Sequence, residues 1–133
     1  MDKPISPWAI GAERVSPDGR FTAHYDDAGE VGMGAPTMGR LTLISGDGER
    51  LITERAAASM VWSDDSKQLA FSEWTKERKQ TLCVLDAESG QVSRHPDTFR
   101  VLELHGFQAG EITGVDSPIY MPKALSIPAS SLA

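Results

Sequence analysis

The side chains that could do chemistry are few and scattered. Three histidines, His24, His95 and His105, fall in or beside short apolar runs, and no HExxH or GxSxG pattern accompanies them. Two carboxylate pairs, Asp26-Asp27 and Asp64-Asp65, could act as acid and base or hold calcium. A calcium loop of the EF-hand kind needs alternating acidic positions and a closing glutamate, and both pairs lack them. Asp65 lies in a turn, where a carboxylate accepts from backbone amides, so its expected role is structural. Cys83 is the one cysteine. It excludes an intrachain disulfide and a Cys/His zinc cluster, and in "TLCVLD" it reads as a buried, inert thiol. "GMGAPTMG" (Gly32 to Gly39) has the glycines of a phosphate loop, but a strand-like "GRLTLI" follows instead of GK[ST] and a helix. No enzyme, metal site or cofactor is expected from this set.

Binding chemistry is what remains. Asp26, Asp27 and Glu30 open "DDAGEVGMGAPTMG" (Asp26 to Gly39), which also holds Met33 and Met38. Its glycines and proline predict a long loop, and long loops in compact domains tend to carry function. Glu73 and Trp74 end an apolar run beside the charged turn "TKERKQ", and tryptophan is favoured at interface hot spots. These seven residues are the candidate partner-binding set. Trp62 and Trp8 are expected to pack in the core.

Strands must position these residues. "RFTAHY", "RLTLIS", "QLAFSEW" and "TLCVLD" are runs of β-favouring residues bounded by Gly, Asp, Ser or Pro. "SPDG" (Ser16 to Gly19) is a type I turn, and "SGDGE" and "DAESG" read as hairpin connectors. "TERAAAS" (Thr53 to Ser59) is too short for an independent helix and is expected to be one turn or an extended crossover. The tail, with two prolines and no period, is expected to fray or drape over a neighbour.

Two halves of the chain match. Ser16, Asp18, Arg20 and Ala23 align with Ser63, Asp65, Lys67 and Ala70, and "RLTLISGDGERLI" aligns with "TLCVLDAESGQVSRH". Each unit reads as four antiparallel strands in a period of about 47 residues, which points to propeller blades. The text "SPDGRFTA", then "WSDDSKQLAF" and "LCVLDAESG", resembles the TolB/WD40-like β-propeller repeat family. That resemblance implies blades at residues 12–57 and 58–97. A hairpin is expected at 98–117 and a tail at 118–133. The fold expected is all-β: two four-stranded antiparallel blade-like sheets plus an extra hairpin, as an incomplete propeller or a sandwich. Two blades cannot close a ring of at least four, so their faces and edges must be covered or offered to something else.

Charge then narrows the partner. The net charge is −6 and the pI about 5.0, which disfavours nucleic acid and favours a basic partner. Hydrophobic residues at 40% with charged residues at 24% place the chain among globular domains. The N-terminal text has no apolar h-region, and no run of about 18 apolar residues occurs, so neither a signal peptide nor a membrane span is expected. A cytoplasmic location follows as an expectation. By class the chain resembles small bacterial immunity proteins, which implies carboxylates docked on a basic toxin domain to block its active site. The alternative is a scaffold that forms homo-oligomers through exposed blade edges.

Overall fold

The computed structural model describes residues 3–133, which fold almost entirely as antiparallel strands. In order these are β1 (Ala12–Val15), β2 (Thr22–Glu30), β3 (Thr37–Ser45), β4 (Gly48–Ala56), β5 (Val61–Trp62), β6 (Gln68–Trp74), β7 (Gln80–Asp86), β8 (Val92–Phe99), β9 (Leu102–Gln108), β10 (Glu111–Asp116) and β11 (Lys123–Pro128). Strands β1 to β4 form the first blade and β5 to β8 the second. One bridge, Ala56 to Glu73, joins them into a continuous sheet. Strands β9, β10 and β11 form a separate three-stranded sheet. Thr53–Ser59 is an extended crossover: Ala57 N donates to Ser72 O at 2.9 Å, and its alanines are buried.

The hairpin expected at the C-terminal end is a three-stranded blade, and most of the expected loose tail belongs to it. "KALSIP" alternates, so Leu125 and Ile127 pack inward opposite Gly114 and Ile112. Pro122 precedes the strand and Pro128 ends it, so no proline interrupts its ladder. The chain then turns, buries Leu132 and pairs Ala133 with the backbone of Arg94 at 2.8 and 3.1 Å.

Blades stack face on face. Phe21, Tyr25, Leu41 and Leu43 of the first pack on Trp62, Leu69, Phe71 and Leu85 of the second. Val61, Ala70, Leu82 and Val84 on the opposite side of the second pack on Leu102, Leu104, Phe107 and Ile112 of the third. The middle blade is thus buried on both faces. The outward faces of the two flanking blades are polar, with His24, Asp26, Arg40 and Thr42 on one and Glu103, His105, Thr113 and Ser126 on the other. They need no apolar cover.

The duplicated turns explain the duplicated text. Ser16 Oγ donates to Asp18 Oδ1 (2.7 Å) and accepts from Phe21 N (3.1 Å), while Asp18 Oδ1 accepts from Arg20 N (3.0 Å). Ser63, Asp65, Lys67 and Gln68 repeat the network at 2.7, 3.0 and 3.0 Å. Gly19 supplies a φ of 77°, and at the matching position Ser66 adopts 65° despite its side chain. Ser66 Oγ accepts from Asp18 N at 2.9 Å, which ties the second turn to the first.

Candidate interaction surface

The blades have two unlike ends. The Ser-x-Asp turns lie at one. At the other, the loop end, lie the β2–β3, β6–β7 and β10–β11 connections. Val31, Pro36, Trp74, Arg78, Arg100 and Val101 line one cleft there of about 320 Å³, which joins the first two connections to the β8–β9 corner. Ser117 N donates to Val101 O (2.8 Å), and Asp116 Oδ1 accepts from Arg100 N and Val101 N (3.1 Å each), so the third connection is tied to the same corner.

The loop end is built on Thr37. Its N donates to Pro7 O (3.2 Å), its Oγ1 donates to Ala9 O (2.6 Å) and bonds Tyr25 Oη (2.7 Å), and its O accepts from Trp74 Nε1 (2.9 Å). Trp8 Nε1 donates to Gly34 O at 2.9 Å. The N-terminal segment thereby holds the β2–β3 loop at two points. That loop is shorter than the Asp26–Gly39 stretch predicts, since β2 runs to Glu30 and β3 starts at Thr37. A bulge absorbs Asp27 and Ala28 opposite Gly39. A Cβ on Gly39 would lie 2.7 Å from Asp26 O and 2.9 Å from the Tyr25 ring, so only glycine fits.

The seven expected residues divide. Asp26 lies on the outward face of the first blade, 3.3 Å from His24 Nε2 and 3.4 Å from Arg40 Nε; Asp27, at φ 58°, is 3.7 Å from Arg40 Nη2. Both charges are partly offset, and Met38 shares this face. Glu30 is exposed where β2 ends, and Met33 is fully exposed at the loop tip. Glu73 and Trp74 must be corrected as exposed contacts, because each is 5% exposed. The middle blade is buried on both faces, so alternation gives its strand ends no solvent side. The Trp74 ring forms a wall of the cleft. Glu73 points among β7 and β8, where Arg94 Nε and Nη2 each lie 3.0 Å from its Oε1.

The sequence reading missed Arg78, Lys79, Arg100 and the exposed run Ile119, Tyr120 and Met121, which are 77%, 66% and 77% exposed. Three large apolar residues between two prolines, in "PIYMP", were the available signal. Arg78, Ser117 and Met121 also hold left-handed backbone, at φ 59°, 57° and 52°, a cost that accumulates where loop shape matters.

Backbone amides and serine hydroxyls in the turns keep Asp18 and Asp65 below the ordinary carboxylate value, and the Ser89 and Glu88 amides do so for Asp86. Burial opposes the Glu73 charge, but Thr53 and Arg94 hydrogen bonds and the Arg94 and Arg55 charges outweigh it and lower its pKa. Burial, then the Glu73 charge, pushes the Cys83 thiol far up. The four carboxylates are thereby held in their charged form and the thiol in its neutral one. Among the described residues no cluster of metal-ligating side chains occurs, and no helix is long and apolar enough to cross a membrane.

No protein-family model matches this chain, and no curated protein does. A solved structure from Agrobacterium tumefaciens, of a protein provisionally named TolB, superposes with a TM-score of 0.62 at 19% identity. The match covers 97% of this chain and 47% of that one, so the chain spans about half its length. At that identity the likeness speaks for architecture alone, and the architecture is a TolB-like, β-propeller-like stack of blades.

Proposed function

We propose that this protein is a non-enzymatic protein-binding module that receives its partner on the loop end. The observation that carries the reading is that the end of the blades with the preformed cleft also exposes Met33 in the β2–β3 connection and Ile119, Tyr120 and Met121 in the β10–β11 connection. Large apolar residues grouped at loop tips mark interaction sites, whereas scattered ones need no explanation. A toxin-immunity role is the biological form proposed for such a module, with the loop end occluding the toxin. Rescue of growth when this chain is co-expressed with the toxic product of an adjacent gene would support that form.

Site-specific photocross-linking tests the general reading. A benzophenone side chain at Met33 or Tyr120 is expected to capture one discrete protein in cells. The same group at Leu51, exposed but on β4, is expected to capture none. Equal capture from all three positions refutes the loop-end assignment.

A scaffold role is the second reading, favoured by a specific feature. The third blade has three strands where the others have four, and the outer edge of β11 is unpaired among the described residues. An added strand from another copy would complete it. Light scattering from micromolar to millimolar protein should then show a rising mass, and a constant monomer mass counts against it.

A further inference from the structure

We infer that the loop-end cleft recognises an acidic segment carrying one large apolar side chain, an inference that rests on the binding-module reading above. This reverses the sign expected from the net charge of −6. The walls of the cleft are apolar: Val31, Ala35, Pro36, Trp74 and Val101. Its rim is cationic, with Arg78, Lys79 and Arg100. Glu77 is the one carboxylate that lines it. Asp116, at the same corner, is engaged by the Arg100 and Val101 amides.

Arg20 is paired with Glu88, Arg40 with Asp26 and Asp27, and Arg94 with Glu73. Arg78, Lys79 and Arg100 form no ion pair among the described residues. Three unpaired cations on the rim of an apolar recess present complementary potential to carboxylates and a dry slot to a hydrophobic anchor. Arg78 is held in position: its left-handed backbone closes the β6–β7 turn through a bond to Thr75 O (3.1 Å), and its guanidinium lies against Gly32 of the neighbouring loop. A volume of about 320 Å³ has room for a leucine- or phenylalanine-sized side chain. A concave recess with a tryptophan wall favours an inserted side chain over a flat lipid surface.

The test is a titration of the ¹⁵N-labelled protein followed by amide chemical shifts. The probes are a short blocked peptide with a central leucine flanked by glutamates, the same peptide with lysines for glutamates, the all-glutamate peptide without leucine, and phosphatidylserine vesicles. The glutamate–leucine peptide is expected to shift the Val31, Arg78 and Val101 amides. Its affinity should fall about tenfold in the double variant R78E/R100E and on raising salt through the physiological range. Losing the leucine should weaken it by a similar factor. Both substituted positions are exposed, so dispersion of the variant's spectrum confirms an intact fold. The inference is overturned if the lysine peptide binds as well, if the shifts fall elsewhere, if no peptide binds, or if only vesicles do. Cross-linking at Met33 and Tyr120 that is indifferent to R78E/R100E would leave the binding module standing and remove this inference alone.

Discussion

Replacing Arg94 with methionine tests whether Glu73 is a buried structural carboxylate. Methionine keeps most of the apolar stem and deletes the guanidinium. The Glu73 side chain is 7% exposed and that of Arg94 51%. Removing one partner of a fully buried pair costs about 3–5 kcal/mol. Here water reaches half of Arg94, and Thr53 continues to hydrogen-bond the carboxylate, so a cost of about 2 kcal/mol at pH 7 is the reasoned value. With a urea slope of about 1.5 kcal/mol/M for a chain of this size, the midpoint should fall by about 1.3 M. The pH dependence is the sharper part. In the parent, the folded Glu73 pKa is depressed, so its contribution is full above the ordinary glutamate value of about 4.3 and is lost as pH falls through the folded value. In R94M burial is less opposed and the folded pKa rises, so the carboxylate becomes a penalty at neutral pH that protonation removes. The gap between the proteins should therefore be widest at pH 7 and clearly smaller at pH 4, narrowing as pH falls toward the parent's lowered value. Urea midpoints at both pH values decide it. A shift under about 0.3 M at pH 7, or one of equal size at the two pH values, refutes the reasoning.

Thr37→Val should cost about 2 kcal/mol, because the Tyr25 hydroxyl and the Ala9 carbonyl lose their shared partner in a buried place. Hydrogen exchange should also quicken at the Thr37 amide, which is bonded to Pro7; unchanged exchange there means the segment is held by something else. Gly39→Ala should cost about 1–3 kcal/mol, since its Cβ would meet Asp26 O at 2.7 Å and the Tyr25 ring at 2.9 Å. A thermal midpoint within error of the parent would show that the bulge gives way.

The first two blades were legible because their turns are a local hydrogen-bond code. Ser at the first position and Asp two residues on suffice to satisfy the amides of the next strand, and that spacing survives in text. The third blade turns through Ala109 and Gly110 without this code, so its repeat character vanished and its last strand passed for a tail. The burial of Glu73 and Trp74 was hidden for a different reason. Alternation distinguishes inside from outside only when one face meets water, and β6 has neighbours on both. The loop-end cleft escaped because its parts are far apart in sequence, from Val31 to Val101, and meet only where the first two blades and the β8–β9 corner come together.

Net charge is a sum over both ends of the blades and does not by itself give the sign at either one. The turn end carries Asp18, Asp47, Asp64 and Glu88, whose roles belong to the repeat and its connectors. The loop end carries Arg78, Lys79 and Arg100 around the cleft. The total of −6 governs solubility and the far field. A partner at contact distance feels charges within about a Debye length, about 8 Å at physiological salt. A β-strand of six residues spans about 20 Å, so the acidic end is screened from anything docked at the other. On the reading proposed above, a blade stack separates the sign that attracts at long range from the sign that selects at contact, and a partner carrying both a basic body and an acidic docking segment would satisfy both.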